Sequence, residues 1–134
     1  MQVIWELQKA IYEKLTDTDR DLVEKVSGVY HYVPQNTIFP YIVIFENKAK
    51  EISNFSETIF EVQTEIHVFD KSESNSDLLS LVDDTVNILK DISNFTIIGH
   101  SLIDLELLSV NSLLMDDRKT WKCELFFNFI VKKI

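Results

Sequence analysis

The segment from Thr58 to Phe69 alternates between two kinds of side chain at a period of two residues. That period is typical of a β-strand, because successive side chains of a strand point to opposite faces of its sheet. The predicted core-facing set is Thr58, Phe60, Val62, Thr64, Ile66 and Val68, and the predicted solvated set is Ile59, Glu61, Gln63, Glu65, His67 and Phe69. A sheet that is wet on one side is typically antiparallel and packs its other face against helices.

The last third of the chain predicts a β-hairpin. Two long strands are expected at about 101–114 and 120–132, and the polar residues 115–119 form a tight turn between them. One face of the second strand is predicted to carry Trp121, Cys123, Leu125, Phe127, Phe129 and Val131. In the first strand, Ile103, Leu105 and Leu107 are predicted to oppose Asp104 and Glu106. A further strand is expected at 41–45, after a short β stretch that begins at Val29.

Three segments have the 3.6-residue periodicity of amphipathic helices. Helices are expected at 3–15, at 22–26 with an end at Ser27-Gly28, and at 78–92 with Asn94 as a left-handed stop. Residues 16–19 offer capping side chains between the first two helices. The predicted order is ααβββαββ, which indicates an α+β fold with a mainly antiparallel sheet of about four to five strands and helices on one face. A length of 134 residues suits a single domain that spans residues 1–134.

The charge and composition disfavour several classes of function. A formal charge of −9 opposes direct, sequence-specific binding to nucleic acid, because that affinity comes largely from Lys and Arg at phosphates. No apolar run approaches the roughly 18 residues that span a bilayer, so no membrane role is expected. The single cysteine, Cys123, allows neither an internal disulfide nor a multi-cysteine zinc site.

No constellation of residues predicts catalysis, a cofactor or a metal. His31, His67 and His100 follow no metal-ligand spacing, and His67 is expected on the wet face beside Glu65. Cys123 lies on the apolar side of its strand, where a cysteine behaves as a small hydrophobe. The adjacent acids at 83–84 and 116–117 point to different faces and form no shared carboxylate site. A hydrolase or transferase that pairs Cys123 with a histidine stays as a minor alternative.

The polar segment 47–57 joins two predicted strands and carries two apolar side chains, Ile52 and Phe55. Connections this long inside a small domain are often functional, so these two residues are expected either to contact a partner or to pack over the sheet. The predicted protein interface consists of Ile52, Phe55, Lys48 and Lys50, together with Asp117 and Arg118 of the hairpin turn.

Three short motifs resemble those of a known family, over a stretch from about Leu7 to Val131. They are Val29-Tyr30 followed by Pro34 and Phe39-Pro40-Tyr41-Ile42, then Glu65-Ile66-His67-Val68-Phe69-Asp70 leading into the helix 78–89, and Asp116-Asp117-Arg118-Lys119-Thr120-Trp121. In this combination the chain is similar to the tail-completion proteins of tailed phages, which are also called tail terminators or head-tail joining proteins.

The resemblance implies a structural subunit of a phage or prophage tail with no cofactor and no catalytic residues. Such a subunit is expected to form a ring, commonly of six copies, that caps the tail tube and joins it to the head or neck. Its expected partners are further copies of itself, the tail tube protein and the head or neck connector. Its expected location is the tail or neck of the virion, and the host cytoplasm during assembly. The alternative is a small α+β ligand-binding or regulatory module that dimerises through its sheet.

Overall fold

The structure is a computed structural model that describes residues 1–17 and 20–134. Its elements are, in order, α1 (Gln2–Leu15), α2 (Leu22–Lys25), β1 (Val29–Tyr30), β2 (Tyr41–Glu51), β3 (Ile59–Asp70), α3 (Ser76–Lys90), a 3-10 turn (Ile92–Asn94), β4 (His100–Leu114) and β5 (Trp121–Lys133). This order confirms the predicted ααβββαββ. Thr18 and Asp19, two of the expected capping residues, lie outside the described residues.

The five strands form one sheet in the spatial order β1-β2-β3-β5-β4. The short β1 pairs in parallel with β2, whereas β2 with β3, β3 with β5 and β5 with β4 are antiparallel. The pairing register shifts once in β2, between Ile44 and Glu46, and twice in β4. Each shift is a bulge that bends its strand and changes which face the next side chain takes. The predicted α+β class with a mainly antiparallel sheet is confirmed.

The core lies between one face of the sheet and helices α1 and α3. The predicted core-facing side chains of β3 from Phe60 to Val68 are buried, and in β5 the inward side chains from Cys123 to Val131 have no exposed surface. The helices cover this face with Leu7, Ile11 and Leu15 of α1 and with Leu78, Val82 and Leu89 of α3. Burial of each large apolar side chain stabilises the fold by about 1.5–3 kcal/mol.

Two strand predictions are corrected by the sheet. Strand β2 continues to Glu51, so Lys48 and Lys50 lie in a strand rather than in a long loop, opposite Gln63 and Glu61 of β3. Backbone pairing with β3 outweighs the low strand propensity of these polar residues. Ile103 is 51% exposed because the bulge between Leu102 and Asp104 turns it out of the predicted inward row.

The ends of two helices also differ from the prediction. Helix α2 ends at Lys25 rather than at Ser27-Gly28, and α3 runs from Ser76 to Lys90. Asn94 is not a left-handed stop, since it belongs to the 3-10 turn that follows α3. None of the helices in the described ranges combines the length and the apolar character that a bilayer crossing demands.

Candidate assembly surfaces

The turn between β2 and β3, residues 52–58, presents the most exposed apolar side chain of the described chain. We call this turn the β2–β3 tip. The side chain of Asn54 orders it, because its Oδ1 atom accepts hydrogen bonds from the backbone N–H groups of Ser56 at 3.0 Å and Glu57 at 2.9 Å. On this framework Phe55 is 112% exposed and Ile52 is 42% exposed. Phe55 therefore does not pack over the sheet.

The other predicted interface residues lie in two places. Lys48 and Lys50 are exposed on β2, next to the β2–β3 tip. Asp117 and Arg118 lie in the β4–β5 turn at the opposite end of the sheet, roughly 35 Å away at the rise of a strand such as β3. The structure therefore does not bring all six predicted residues into one patch.

Asp117 is engaged inside its own turn. Its Oδ1 atom accepts hydrogen bonds from the backbone N–H groups of Lys119 and Thr120, both at 2.9 Å, and its Oδ2 atom accepts one from the Thr120 hydroxyl at 2.7 Å. The Thr120 hydroxyl, followed by the two N–H groups, lowers the pKa of Asp117 to about 2. Arg118 adopts a positive φ of 58° and remains exposed. The guanidinium of Arg118 takes no part in the hydrogen bonds that Asp117 makes within this turn.

Strand β4 forms a long edge of the sheet. It pairs with β5 along one side, and no other strand in residues 1–17 and 20–134 pairs with its far side. Ile103, Leu108 and Val110 are about half exposed along it. Proteins commonly shorten, charge or cover such edges, because unpaired N–H and C=O groups recruit another strand. The sequence predicts this strand, but its position at the edge follows only from the strand order.

The open face of the sheet carries a row of aromatic rings. Phe45, at the bulge of β2, stacks on the imidazole of His67 with ring centroids 4.3 Å apart, and His67 in turn contacts Phe69. Tyr41 stacks on Phe69 with centroids 5.0 Å apart. The prediction of a surface histidine is wrong, since His67 is 2% exposed under Phe45, which itself is 57% exposed.

A polar cluster surrounds His67 on this face. The Nε2 atom of His67 lies 2.5 Å from Oε2 of Glu65 and 3.8 Å from Oε2 of Glu124, and the ammonium of Lys122 lies 3.2 Å from that Glu124 oxygen. Asn111 donates a hydrogen bond to Oε1 of Glu124 at 3.0 Å. Burial lowers the pKa of His67, although its hydrogen bond with Glu65 opposes this effect.

The sequence predicts only part of this cluster. A two-residue spacing places Glu65 and His67 on one face of β3, which was expected from the alternation. Glu124 joins them because β3 and β5 pair with His67 opposite Glu124. The donor atoms of Glu65, His67 and Glu124 all lie within 4.8 Å of one another. Among residues 1–17 and 20–134, these three residues are the group of His, Cys, Asp or Glu side chains that lie close enough together to hold a metal ion.

Cys123 lies on the other face of the sheet from this cluster. It has no exposed surface, and burial, followed by the charge of Glu124, raises the pKa of its thiol to about 11. His67 is on the opposite face of the sheet, and His100 pairs with Lys133 at the far end of β5 from Cys123. The structure thus brings neither of these two imidazoles to the thiol, as a Cys–His nucleophile would require.

A small groove on the open face bears on the ligand-binding alternative. Its volume is about 150 Å³, and its lining includes Glu46, Lys48, Gln63, Glu65, Leu108 and Phe126. Small-molecule sites commonly occupy about 300–1,000 Å³. The groove is therefore small for a typical organic ligand, whereas an open depression of about 670 Å³, lined by residues that include Glu57, Ser101 and Lys132, lies within that range.

The fold and its exposed surfaces define a class of small α+β protein. Its sheet is backed by helices on one face, and its free β4 edge and its β2–β3 tip are surfaces that suit contacts with other chains. Residues 9–132 match the family described as "Tail completion protein gp17". The chain belongs to this family and is a structural protein of a phage tail, as the sequence motifs suggested.

A solved structure has the same fold. A chain from the "Virion of native gene transfer agent (GTA) particle" superposes with a TM-score of 0.83 at 16% sequence identity, and the match covers 97% of each chain. At this identity the likeness concerns the fold alone. Comparison with curated protein sequences found no match.

Proposed function

We propose that this protein caps the end of the tail tube and joins it to the head or neck, acting as a ring of identical subunits. The observation that carries the proposal is the family match, which extends over residues 9–132 and so includes all of the sheet except the last residue of β5. The likeness to a chain from a gene transfer agent virion supports a place inside a particle of this kind. The whole stretch 1–134 would act as one tail-completion domain.

The surfaces of the chain support ring formation. A ring that closes by rotation needs two different and complementary surfaces on each subunit. The free edge of β4 and the β2–β3 tip are the two surfaces that we propose for this contact, because they lie on different parts of the sheet and both expose apolar groups. Contact through them would cover the β4 edge and bury Phe55. Six copies is the number that the sequence resemblance suggests.

The charge of the chain suits the path of DNA through a tail. The chain has 22 acidic and 13 basic side chains, a formal charge of −9, and a ring with this excess of negative charge would let DNA pass without holding it. The proposed partners are further copies of the chain, the tail tube protein on one side and the head or neck connector on the other. The proposed location is the tail or neck of the virion, and the host cytoplasm during assembly.

Polymerisation of tail tubes tests this function. Purified tail tube protein from the same virion would be polymerised with and without the chain and imaged by negative-stain electron microscopy. We expect tubes that carry a ring-shaped end density and stop growing when the chain is present. Tubes of unchanged length with bare ends, together with no binding of the chain to preformed tubes, would refute the capping role.

A further inference from the structure

The cluster of Glu65, His67 and Glu124 on the open face has the donors of a metal site. Glu65 and His67 project from β3, and Glu124 projects from β5 directly opposite His67. The set offers one imidazole nitrogen and two carboxylate oxygens within 4.8 Å of one another. We infer that these three residues bind a divalent transition-metal ion, and that Zn²⁺ is the ion that best suits them.

The present distances are close to those that coordination needs. Zn²⁺ takes His nitrogen and Glu oxygen at about 2.0–2.2 Å in a tetrahedron, which places neighbouring ligand atoms roughly 3.4 Å apart. The His67 nitrogen is now 2.5 Å from Glu65 and 3.8 Å from Glu124. Small rotations of the two glutamates, whose side chains are 20% and 21% exposed, would bring both distances to the required value.

The imidazole is the fixed member of the set. His67 is held between the stacked ring of Phe45 and the edge of Phe69, and its side chain is 3% exposed. Asn111 anchors Oε1 of Glu124 and leaves Oε2 of that carboxylate directed at His67 and Lys122. Outer hydrogen bonds of this kind orient metal ligands and strengthen binding. The partial exposure of the glutamates leaves room for water as a fourth ligand.

The charges favour a cation, with Lys122 as its competitor. Two carboxylates face a single ammonium in the cluster. The Lys122 side chain is 20% exposed, so it can move into solvent when an ion takes its place on Glu124. A mixed imidazole and carboxylate set favours Zn²⁺ over Mg²⁺, which prefers six oxygen ligands and keeps much of its water. A bound ion would join β3 to β5 on the open face.

Calorimetric titration of the full chain with Zn²⁺ tests the site, with Mg²⁺ as the control ion. We expect one ion per chain, and affinity at least about tenfold weaker in Glu65→Gln, His67→Gln and Glu124→Gln, because loss of even an outer-shell partner has that effect. Lys122→Gln is expected to bind more tightly, which a merely structural role of the cluster does not predict. His31→Gln removes an exposed imidazole elsewhere and should bind as the unchanged chain does.

Circular dichroism would confirm that each variant is folded, and Zn²⁺ should raise the melting temperature of the unchanged chain but not of Glu124→Gln. Equal Zn²⁺ affinity in the unchanged chain and in Glu124→Gln would overturn the inference. The inference would also be overturned if Zn²⁺ bound neither to the unchanged chain nor to Lys122→Gln. The result is independent of tube capping, since the titration uses the isolated chain without any tail component.

Discussion

Replacement of Phe55 by Ser tests the assembly role of the β2–β3 tip most cleanly. Phe55 is 112% exposed, so its ring contributes no burial to the isolated subunit, and the free energy of unfolding should change by less than about 0.5 kcal/mol. The turn itself is ordered by Asn54 and stays intact. Ile52 is a less clean target, because more than half of its surface is buried already.

The effect on assembly follows from the area that a phenylalanine ring would bury. Complete burial of a Phe side chain contributes about 1.5–3 kcal/mol, and each 1.4 kcal/mol corresponds to about a tenfold change in Kd, so each subunit contact should weaken roughly 10- to 100-fold. The double variant Ile52→Ser/Phe55→Ser should weaken assembly further.

Native mass spectrometry and sedimentation velocity over a dilution series measure this effect, on the isolated chain and on the chain bound to tail tubes. Tyr32→Ser is the matched control, since Tyr32 is 87% exposed but lies outside the tip. Unchanged ring mass and an unchanged dissociation concentration for Phe55→Ser, both with and without tubes, would refute the proposed role of the tip.

Three further outcomes are expected. Leu108→Lys places a charge on the free β4 edge, so it should reduce ring formation measured by sedimentation velocity while the melting temperature stays nearly unchanged. Equal ring formation by the variant and the unchanged chain would show that this edge is not a subunit contact. The pKa of Asp117 is lowered to about 2 in the fold, so its contribution to stability is present above pH 4 and is lost as the pH falls from about 4 to 2. In calorimetry, Asp117→Asn should therefore have a lower melting temperature than the unchanged chain at pH 6, and its melting temperature should depend less on pH between about 4 and 2. Identical melting temperatures of the two proteins at each pH would contradict the turn network. The buried Cys123 thiol, with its pKa raised to about 11, should resist iodoacetamide at neutral pH until denaturant is added, and rapid labelling of the folded chain would contradict its burial.

Local periodicity was enough to predict the order of the helices and strands and the buried rows of β3 and β5. The alternation in β3 and β5 identified the buried rows from Phe60 to Val68 and from Cys123 to Val131, because side-chain direction in a strand depends only on sequence parity. The helical repeats located α1 and α3 to within about two residues. The hairpin turn was also predicted, since Asp117 makes its hydrogen bonds to residues two and three positions later.

The candidate sites required the tertiary structure. The sequence placed Glu65 beside His67, but only the pairing of β3 with β5 adds Glu124, and only the bulge of β2 lays Phe45 over the imidazole. Likewise, the exposure of β4 as an edge depends on the order of strands, and the length of β2 depends on its pairing with β3. These features arise from contacts between residues far apart in the chain, and no local repeat encodes which strand lies beside which.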